Sequence, residues 1–355
     1  MKVAIVYHDK YSQYDLGTGH PFRGNRFVNA MQFFKEKGLL KLPNVTLQEP
    51  QPATKQDLLR VHSSTYVDLI THLAEENMPY DIETPVSPQI YEAAMLIIGG
   101  AITAGEAIYK GIVNRAIALG CGYHHAGKDY GGGFCLFNDV AILTEFLREK
   151  YHVHRVLNLD YDVHCGNGTS DIFYSDPSFL YVSIHQDPRT IYPGTGFIDQ
   201  IGSGPGEGYN VNIPLPPGTS DQTYFYAVNE IFTPLAEEFE PDIILANGGS
   251  DAHFADSLGR LQLTSQGFFQ LSRMIAKVSD NVCNGKLVLM VGSGYNPVVL
   301  PMCWYALGAG VVGLKTIDVR EPTEPPPEPS LNRQIVEETL ANLKLILKRY
   351  WKCFR

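Results

Sequence analysis

The chain has 355 residues, 44% apolar and 19% charged, which describes a globular protein and excludes a disordered or collagen-like one. A formal charge of -10 excludes the basic footprint of a general nucleic-acid binder and is compatible with a cationic substrate. Six cysteines without a C-x-x-C pair read as reduced thiols, and no segment shows a signal-peptide pattern or the ~18 apolar residues of a membrane helix, so a cytoplasmic protein is expected.

Lys2–Tyr7 reads as a buried strand. The Gly17–Gly24 loop carries His20 and Arg23 on turn chemistry, before a helical pattern from Arg26 to about Lys37. Asp57–Arg60 and Ser64–Glu76 are helical, with Ser63 or Ser64 as cap. Asn77–Val86 is a polar, proline-punctuated loop. Pro88–Lys110 is helical, and its Gly99-Gly100 pair marks a place where another backbone comes close.

Strands and helices then alternate. Ala116–Leu119 is a strand running into Gly122-Tyr-His124-His125, and Asn138 or Asp139 caps a helix to about Lys150. Val156–Asp160, Phe179–His185, Val211–Leu215, Asp242–Asn247 and Leu287–Val291 are strands. Asp221–Phe239, Ser265 to about Val278, and Val299–Leu307 are helices. This order predicts an α/β fold: a single domain, its mostly parallel β-sheet flanked by helices on both faces. The catalytic domain is expected over 1–318. A Pro/Glu-rich linker covers 319–330, and a C-terminal helix within 331–355 docks back on the domain.

In open α/β sheets ligands sit at the carboxyl ends of the strands, so the loops there carry the functional reading. Asp160, Asp162 and His164 follow the Val156 strand at alternate positions and would project the same way. Asp251 follows the Asp242 strand. Asp162, His164 and Asp251 together are plausible ligands of Zn²⁺ or another divalent ion, with a position left open for water. The bland alternative is a strand end whose acids cap backbone amides. His124-His125 can supply an acid–base group, with Asp160 and Asn167 available to fix the rings. The alternative is a solvated loop. Tyr295, on a Gly-Ser-Gly turn, can support an oxyanion or be an ordinary turn tyrosine. Phe134, beside Gly131-Gly-Gly133, can line a channel or pack in the core. Gly131–Gly133 lacks both phosphate-loop patterns.

The set of motifs resembles the zinc-dependent deacetylase superfamily, which holds histone deacetylases, acetylpolyamine amidohydrolases and acetoin-utilization proteins. The resemblance runs from His20-Pro-x-Arg23 to about Leu314. It rests on Gly122-Tyr-His-His125, Gly133-Phe-Cys, Leu159-Asp-Tyr-Asp-Val-His164-x-Gly-Asn-Gly-Thr169, Tyr192-Pro-Gly-Thr-Gly196, Ser250-Asp-Ala-His-x-x-Asp256 and Gly294-Tyr295. It implies an arginase/deacetylase-like fold and removal of an acetyl group from an amine. Asp162, His164 and Asp251 match the zinc ligands. His125 matches the general base and acid, His124 its electrostatic partner, and Asp160 and Asn167 the groups that orient them. Tyr295 matches the oxyanion tyrosine, Gly133, Phe134 and Tyr192 the tunnel, and Glu83 a rim acid. Asp160, Asp162, His164, Ser183 and Ile184 match a structural potassium site. Cys165, Ser250, Ser257 and Ser293 depart from the usual residues, and none of them removes a ligand or the base. Leu258 stands where polyamine-selective relatives carry a glutamate.

The implied substrate is acetyl-lysine in a protein or peptide, with an acetylated polyamine or other small N-acyl amine as the alternative. No nucleic-acid or membrane partner is expected, and the oligomeric state is left open. Two remoter readings are a binuclear manganese ureohydrolase, invited by Asp251-Ala-His253 although position 255 is Ala, and a silent acyl-lysine binding module.

Overall fold

A computed structural model describes residues 1–355. In chain order its elements are β1 (Val3–Val6), α1 (Asn25–Glu36), β2 (Val45–Gln48), α2 (Lys55–Leu58), α3 (Ser64–Glu75), α4 (Pro88–Tyr109), β3 (Arg115–Leu119), α5 (Asp139–Tyr151), β4 (Val156–Asp160), α6 (Asn167–Phe173), β5 (Phe179–Gln186), β6 (Asn210–Leu215), α7 (Asp221–Phe239), β7 (Ile243–Gly249), α8 (Ser265–Cys283), β8 (Leu287–Ser293), α9 (Leu300–Val312) and α10 (Asn332–Leu347). The eight strands form one sheet in the order β2-β1-β3-β8-β7-β4-β5-β6, with parallel pairing, as the alternation of strands and helices requires.

The chain divides into two compact units. One comprises Met1–Val153, Asn167–Ile172 and Val288–Gly292, and the other His154–Gly166, Phe173–Leu287 and Ser293–Arg355. In the first, β1 and β3 are buried along their whole length, as Val, Ile and Ala runs with both faces covered should be. β2 pairs with β1 but buries only Val45 fully, and this weak apolar pattern hides it in the sequence. α3 is capped by Ser63, and α5 by Asn138, whose side chain accepts from the Ala141 N–H.

α4 corrects the expectation about apolar length. It has 22 residues and is long and apolar enough to cross a membrane, yet 72% of its most apolar window is buried inside the fold. The Gly99-Gly100 pair explains part of that burial. A Cβ on Gly99 would meet the backbone of Gln51 and Ala53, and one on Gly100 would meet the Tyr11 ring.

In the second unit β4, β5 and β7 are buried throughout, and β4 lies between β5 and β7 with Asp160 opposite both Ser183 and Asn247. The proline-rich stretch after α9 is tied down by its acids. Glu321 accepts from the Ser265 N–H at 2.6 Å, and Glu328 accepts from the Ser220 N–H and hydroxyl at the start of α7. α10 buries Val336, Leu340, Leu343 and Leu347, and Trp351 donates its indole N–H to the Gly208 carbonyl at 2.8 Å.

Candidate active site

The strand alternation that set Asp160, Asp162 and His164 in line holds only to Asp160, where β4 ends. Beyond it the acids shape the loop themselves. The Asp162 N–H donates to Asp160 Oδ1 at 3.3 Å and the His164 N–H to Asp162 Oδ1 at 2.9 Å, so each acid turns the chain that carries the next residue. The loop after β7 is held beside this one. Tyr161 donates its N–H to the Asn247 carbonyl at 2.9 Å, and Val163 donates its N–H to Asp251 Oδ1 at 3.2 Å. Gly248, at φ +155°, permits the approach, since a Cβ there would stand 2.7 Å from the Tyr161 ring.

These loops bring the three expected ligands together. His164 Nδ1 lies 3.0 Å from Asp162 Oδ1 and 3.4 Å from Asp251 Oδ2. The three donor atoms fall within 4.8 Å of one another, and all three residues are buried. Burial alone would lower the His164 pKa, but the hydrogen bond to Asp162 and the charges of Asp162 and Asp251 outweigh it and raise it to about 10. Burial, and then the charge of Asp162, push Asp251 upward. Asp251 Oδ2 is buried and accepts no hydrogen bond. An orphaned carboxylate oxygen, a second carboxylate and an imidazole form a set that fits a divalent cation, and their pull on a proton would act equally on the ion.

His253, two residues on, is no part of this set. Its Nδ1 accepts from the Ala255 N–H at 3.1 Å and its Nε2 is 2.9 Å from Glu321 Oε2, so both ring nitrogens are engaged. That removes the residue on which a second-metal reading rested.

The histidine pair stands in the first unit, on the loop after β3. Asp139 builds that loop by accepting from the Gly122 N–H at 2.9 Å and the Tyr123 N–H at 2.8 Å. Burial raises its pKa to about 6 against the pull of these amides. His124 Nε2 and His125 Nε2 are 3.1 Å apart, and His125 Nδ1 is 2.8 Å from Asn167 Oδ1. Gly133, at φ +53°, lies directly against the His125 ring, where a Cβ would sit 2.7 Å from its Cγ. Phe134 follows, also at positive φ (69°), with its carbonyl accepting from the Tyr14 hydroxyl at 2.6 Å and its ring 4.6 Å from that of His20. Glu83 is exposed, and its N–H donates to Asp81 at 2.8 Å.

In the second unit Asp256 holds the Tyr295 turn. Its Oδ2 accepts from the Tyr295 N–H at 2.7 Å and the Asn296 N–H at 3.1 Å, while its Oδ1 accepts from the Leu258 N–H at 3.0 Å. Tyr192 is 49% exposed, with its ring 6.5 Å from that of His164. The hydroxyls of Ser250 and Ser293, two of the departures, are buried without a hydrogen-bond partner in the protein. At the expected potassium position Asp160 Oδ2 accepts from the Tyr181 hydroxyl at 3.1 Å, and Ser183 Oγ bonds His185 Nδ1 at 2.7 Å.

Sequence reading named Asp139 only as a possible helix cap and did not single out Tyr14, Tyr130 or Asp171. Asp139, beside the cap residue at the head of α5, is itself wholly buried.

A histone deacetylase domain model matches residues 20–311. A probable deacetylase from Archaeoglobus fulgidus is 34% identical over the full length of both chains. Acetoin utilization protein AcuC from Bacillus subtilis is 32% identical over 87% of this chain and 82% of its own. The crystal structure of the HDA15 HD domain superposes with a TM-score of 0.87 at 27% identity, covering 100% of this chain and 98% of that one.

Proposed function

Since the chain belongs to the histone deacetylase family, and is accordingly a deacetylase that hydrolyses an amide C–N bond, we propose that it is zinc-dependent and acts on acetyl-lysine in a protein or peptide. The observation that carries the zinc assignment is the buried triad with its orphaned Asp251 oxygen. Asp162, His164 and Asp251 would hold the ion. Two carboxylates and one imidazole make a nearly neutral site with a coordination position to spare. When bound, the ion supplies Lewis-acid polarisation of the amide carbonyl and of the attacking water.

The rest of the chemistry belongs to side chains. His125 takes the proton of the attacking water at Nε2 and returns it to the leaving amine. Asn167 fixes the far side of that ring, and His124 tempers its charge as the proton arrives. Asp160 is proposed to orient His124. Tyr295 donates its phenolic O–H to the developing oxyanion from a turn held by Asp256. Gly133, Phe134 and Tyr192 guide the acyl-lysine chain, with Glu83 at the rim. Leu258 in place of a glutamate weighs toward acetyl-lysine over a polyamine. Asp160, Asp162, His164, Ser183 and Ile184 offer carboxylate, hydroxyl and carbonyl oxygens, a hard donor set suited to potassium. In this reading residues 1–318 are the catalytic domain, 319–330 a linker and 331–355 a docked helical segment, in a cytoplasmic enzyme.

The test is a turnover panel of acetyl-lysine peptides against acetylated polyamines, with and without a zinc-binding hydroxamate. Higher kcat/KM on peptides and loss of activity with the hydroxamate are expected. Preference for polyamines would overturn the substrate, and full activity after chelation would overturn the metal.

A further inference from the structure

We infer that Asp171, acting through Tyr130, sets which way the Asn167 amide faces and thereby which nitrogen of His125 carries its proton. The inference rests on the reading of His125 as the general base. It concerns two positioning residues which that reading does not use.

The four side chains form a line within one unit. The Tyr130 hydroxyl donates to Asp171 Oδ2, Asn167 Nδ2 donates to the Tyr130 oxygen at 3.3 Å, and Asn167 Oδ1 faces His125 Nδ1 at 2.8 Å. The supports are local. The Gly127 N–H donates to the Tyr130 carbonyl at 2.9 Å, and the Tyr130 ring covers Gly127 so closely that a Cβ there would lie 2.9 Å from its Cδ1. The head of α6, where Asn167 sits, is tied to the histidine loop. Thr169 donates its N–H to the His124 carbonyl at 3.0 Å, and Asn138 donates to both the Ala126 carbonyl and Thr169 Oγ1 at 2.9 Å.

The direction of every proton in the line follows from its far end. A carboxylate only accepts, so Asp171 takes the single proton of the Tyr130 hydroxyl. The phenolic oxygen is then left as an acceptor toward Asn167, and the amide must present its NH₂ there. Its carbonyl oxygen therefore faces His125 and demands a proton on Nδ1. Neutral imidazole has one N–H, so Nε2 keeps its lone pair, as a base requires. The 3.1 Å contact between the two Nε2 atoms is then donated by His124, and it must open for His125 Nε2 to take the proton of the attacking water. An asparagine alone could not impose this, because its amide can rotate by half a turn and stabilise the opposite tautomer equally well.

The test compares Tyr130→Phe and Asp171→Ala in the full-length zinc-loaded enzyme with the same changes made alongside Asn167→Asp. A carboxylate at 167 accepts whatever faces it, so it fixes the His125 tautomer without help. In serine-protease triads a wholly wrong tautomer lowers kcat by about 10⁴. Here the relay biases the tautomer without reversing it, and Tyr130→Phe is expected to lower kcat by roughly tenfold with KM within about twofold. In the Asn167→Asp background it should change kcat by less than about twofold. Imidazole ¹⁵N shifts, read without turnover, should show His125 as Nδ1–H in the wild type, mixed in Tyr130→Phe, and Nδ1–H again in the double variant. Unchanged ¹⁵N shifts and kcat in Tyr130→Phe, with His125→Ala inactive, would overturn the relay alone. An enzyme that hydrolyses no amide would overturn the deacetylase chemistry, while the ¹⁵N pattern would still decide the relay.

Discussion

Gly133→Ala isolates the packing that aims His125. Two costs can be separated at this position. The first is backbone: an alanine held at φ +53° is strained by about 1–2 kcal/mol, worth about 1–3 °C of Tm in a chain this size. The second is positional. The new Cβ would lie 2.7 Å from His125 Cγ and nearer still to its Cδ2, where ordinary contact begins at 3.4 Å, so the ring must retreat by more than 3.4 − 2.7 = 0.7 Å. That motion stretches the 2.8 Å bond from Nδ1 to Asn167 and turns Nε2 off its line. Misplacement of a catalytic group by about 1 Å costs as much as 10²-fold, so kcat on an acetyl-lysine peptide should fall by on the order of 10- to 10²-fold. KM should change less than kcat, since one methyl at the tunnel wall perturbs substrate contacts less than it displaces the ring. Gly38→Ala is the control. It carries the same kind of strain at φ +74° with nothing within 4 Å of the added methyl, and should lower Tm without lowering kcat. Wild-type kcat in a folded Gly133→Ala enzyme would refute the idea that this glycine exists to seat the ring.

Asp251→Asn and His164→Ala each remove one member of the triad, and should weaken zinc binding by roughly 10²-fold or more, from an expected one ion per chain, as read by elemental analysis after dialysis against a buffered metal. Gly99→Ala, although favourable for helix propensity, should destabilise by about 1–3 kcal/mol, because its Cβ would stand 3.0 Å from the Ala53 nitrogen and nearer still to the Gln51 carbonyl; denaturant melts check it. His62 is buried and accepts the Asn138 N–H at 3.0 Å through Nε2, and burial lowers its pKa to about 4. Between its ordinary 6.5 and 4 the unfolded chain binds a proton that the native one refuses, so its stability contribution is present above pH 6.5 and is lost as pH falls toward 4. The loss is at most (6.5 − 4) × 1.36, about 3 kcal/mol, and His62→Gln, which keeps an acceptor for Asn138, should flatten that part of the stability–pH curve in urea titrations.

The fold was legible wherever local chemistry and tertiary environment agree. Val156–Asp160 and Asp221–Phe239 match β4 and α7 residue for residue, because an apolar run bounded by polar turns is what a buried parallel strand needs, and Asp221 opens its helix with an acid. β2 escaped because an edge strand with a single fully buried side chain has no pattern to read. α6 escaped because Asn-Gly-Thr-Ser-Asp reads as a turn, and it is helical through its ties to the histidine loop. The same ties place Asp171 beside Tyr130, 41 positions away in sequence, which no local window could have joined.

The candidate site divides along a similar line, and its aspartates show why. Asp139 and Asp256 have both carboxylate oxygens engaged by backbone N–H groups, so they build the loops under His124 and Tyr295. Asp162 does two jobs with one oxygen, accepting the His164 N–H and facing its imidazole. Asp251 has one oxygen anchored on the Val163 N–H and the other buried, 3.4 Å from His164 Nδ1 and without a hydrogen bond from the protein. A buried carboxylate oxygen left unpaired by the protein is costly, and a bound cation would remove that cost. Sequence offers two descriptions of such acids, ligand or amide cap, and cannot choose between them, because the choice depends on how many N–H groups the neighbouring loops turn inward. That count comes from tertiary packing, here from Gly248 letting one loop settle on the next. The single amide that reaches Asp251 thus favours the proposed ligand role, and the two that reach Asp139 mark it as a cap, although both are wholly buried carboxylates of the same kind.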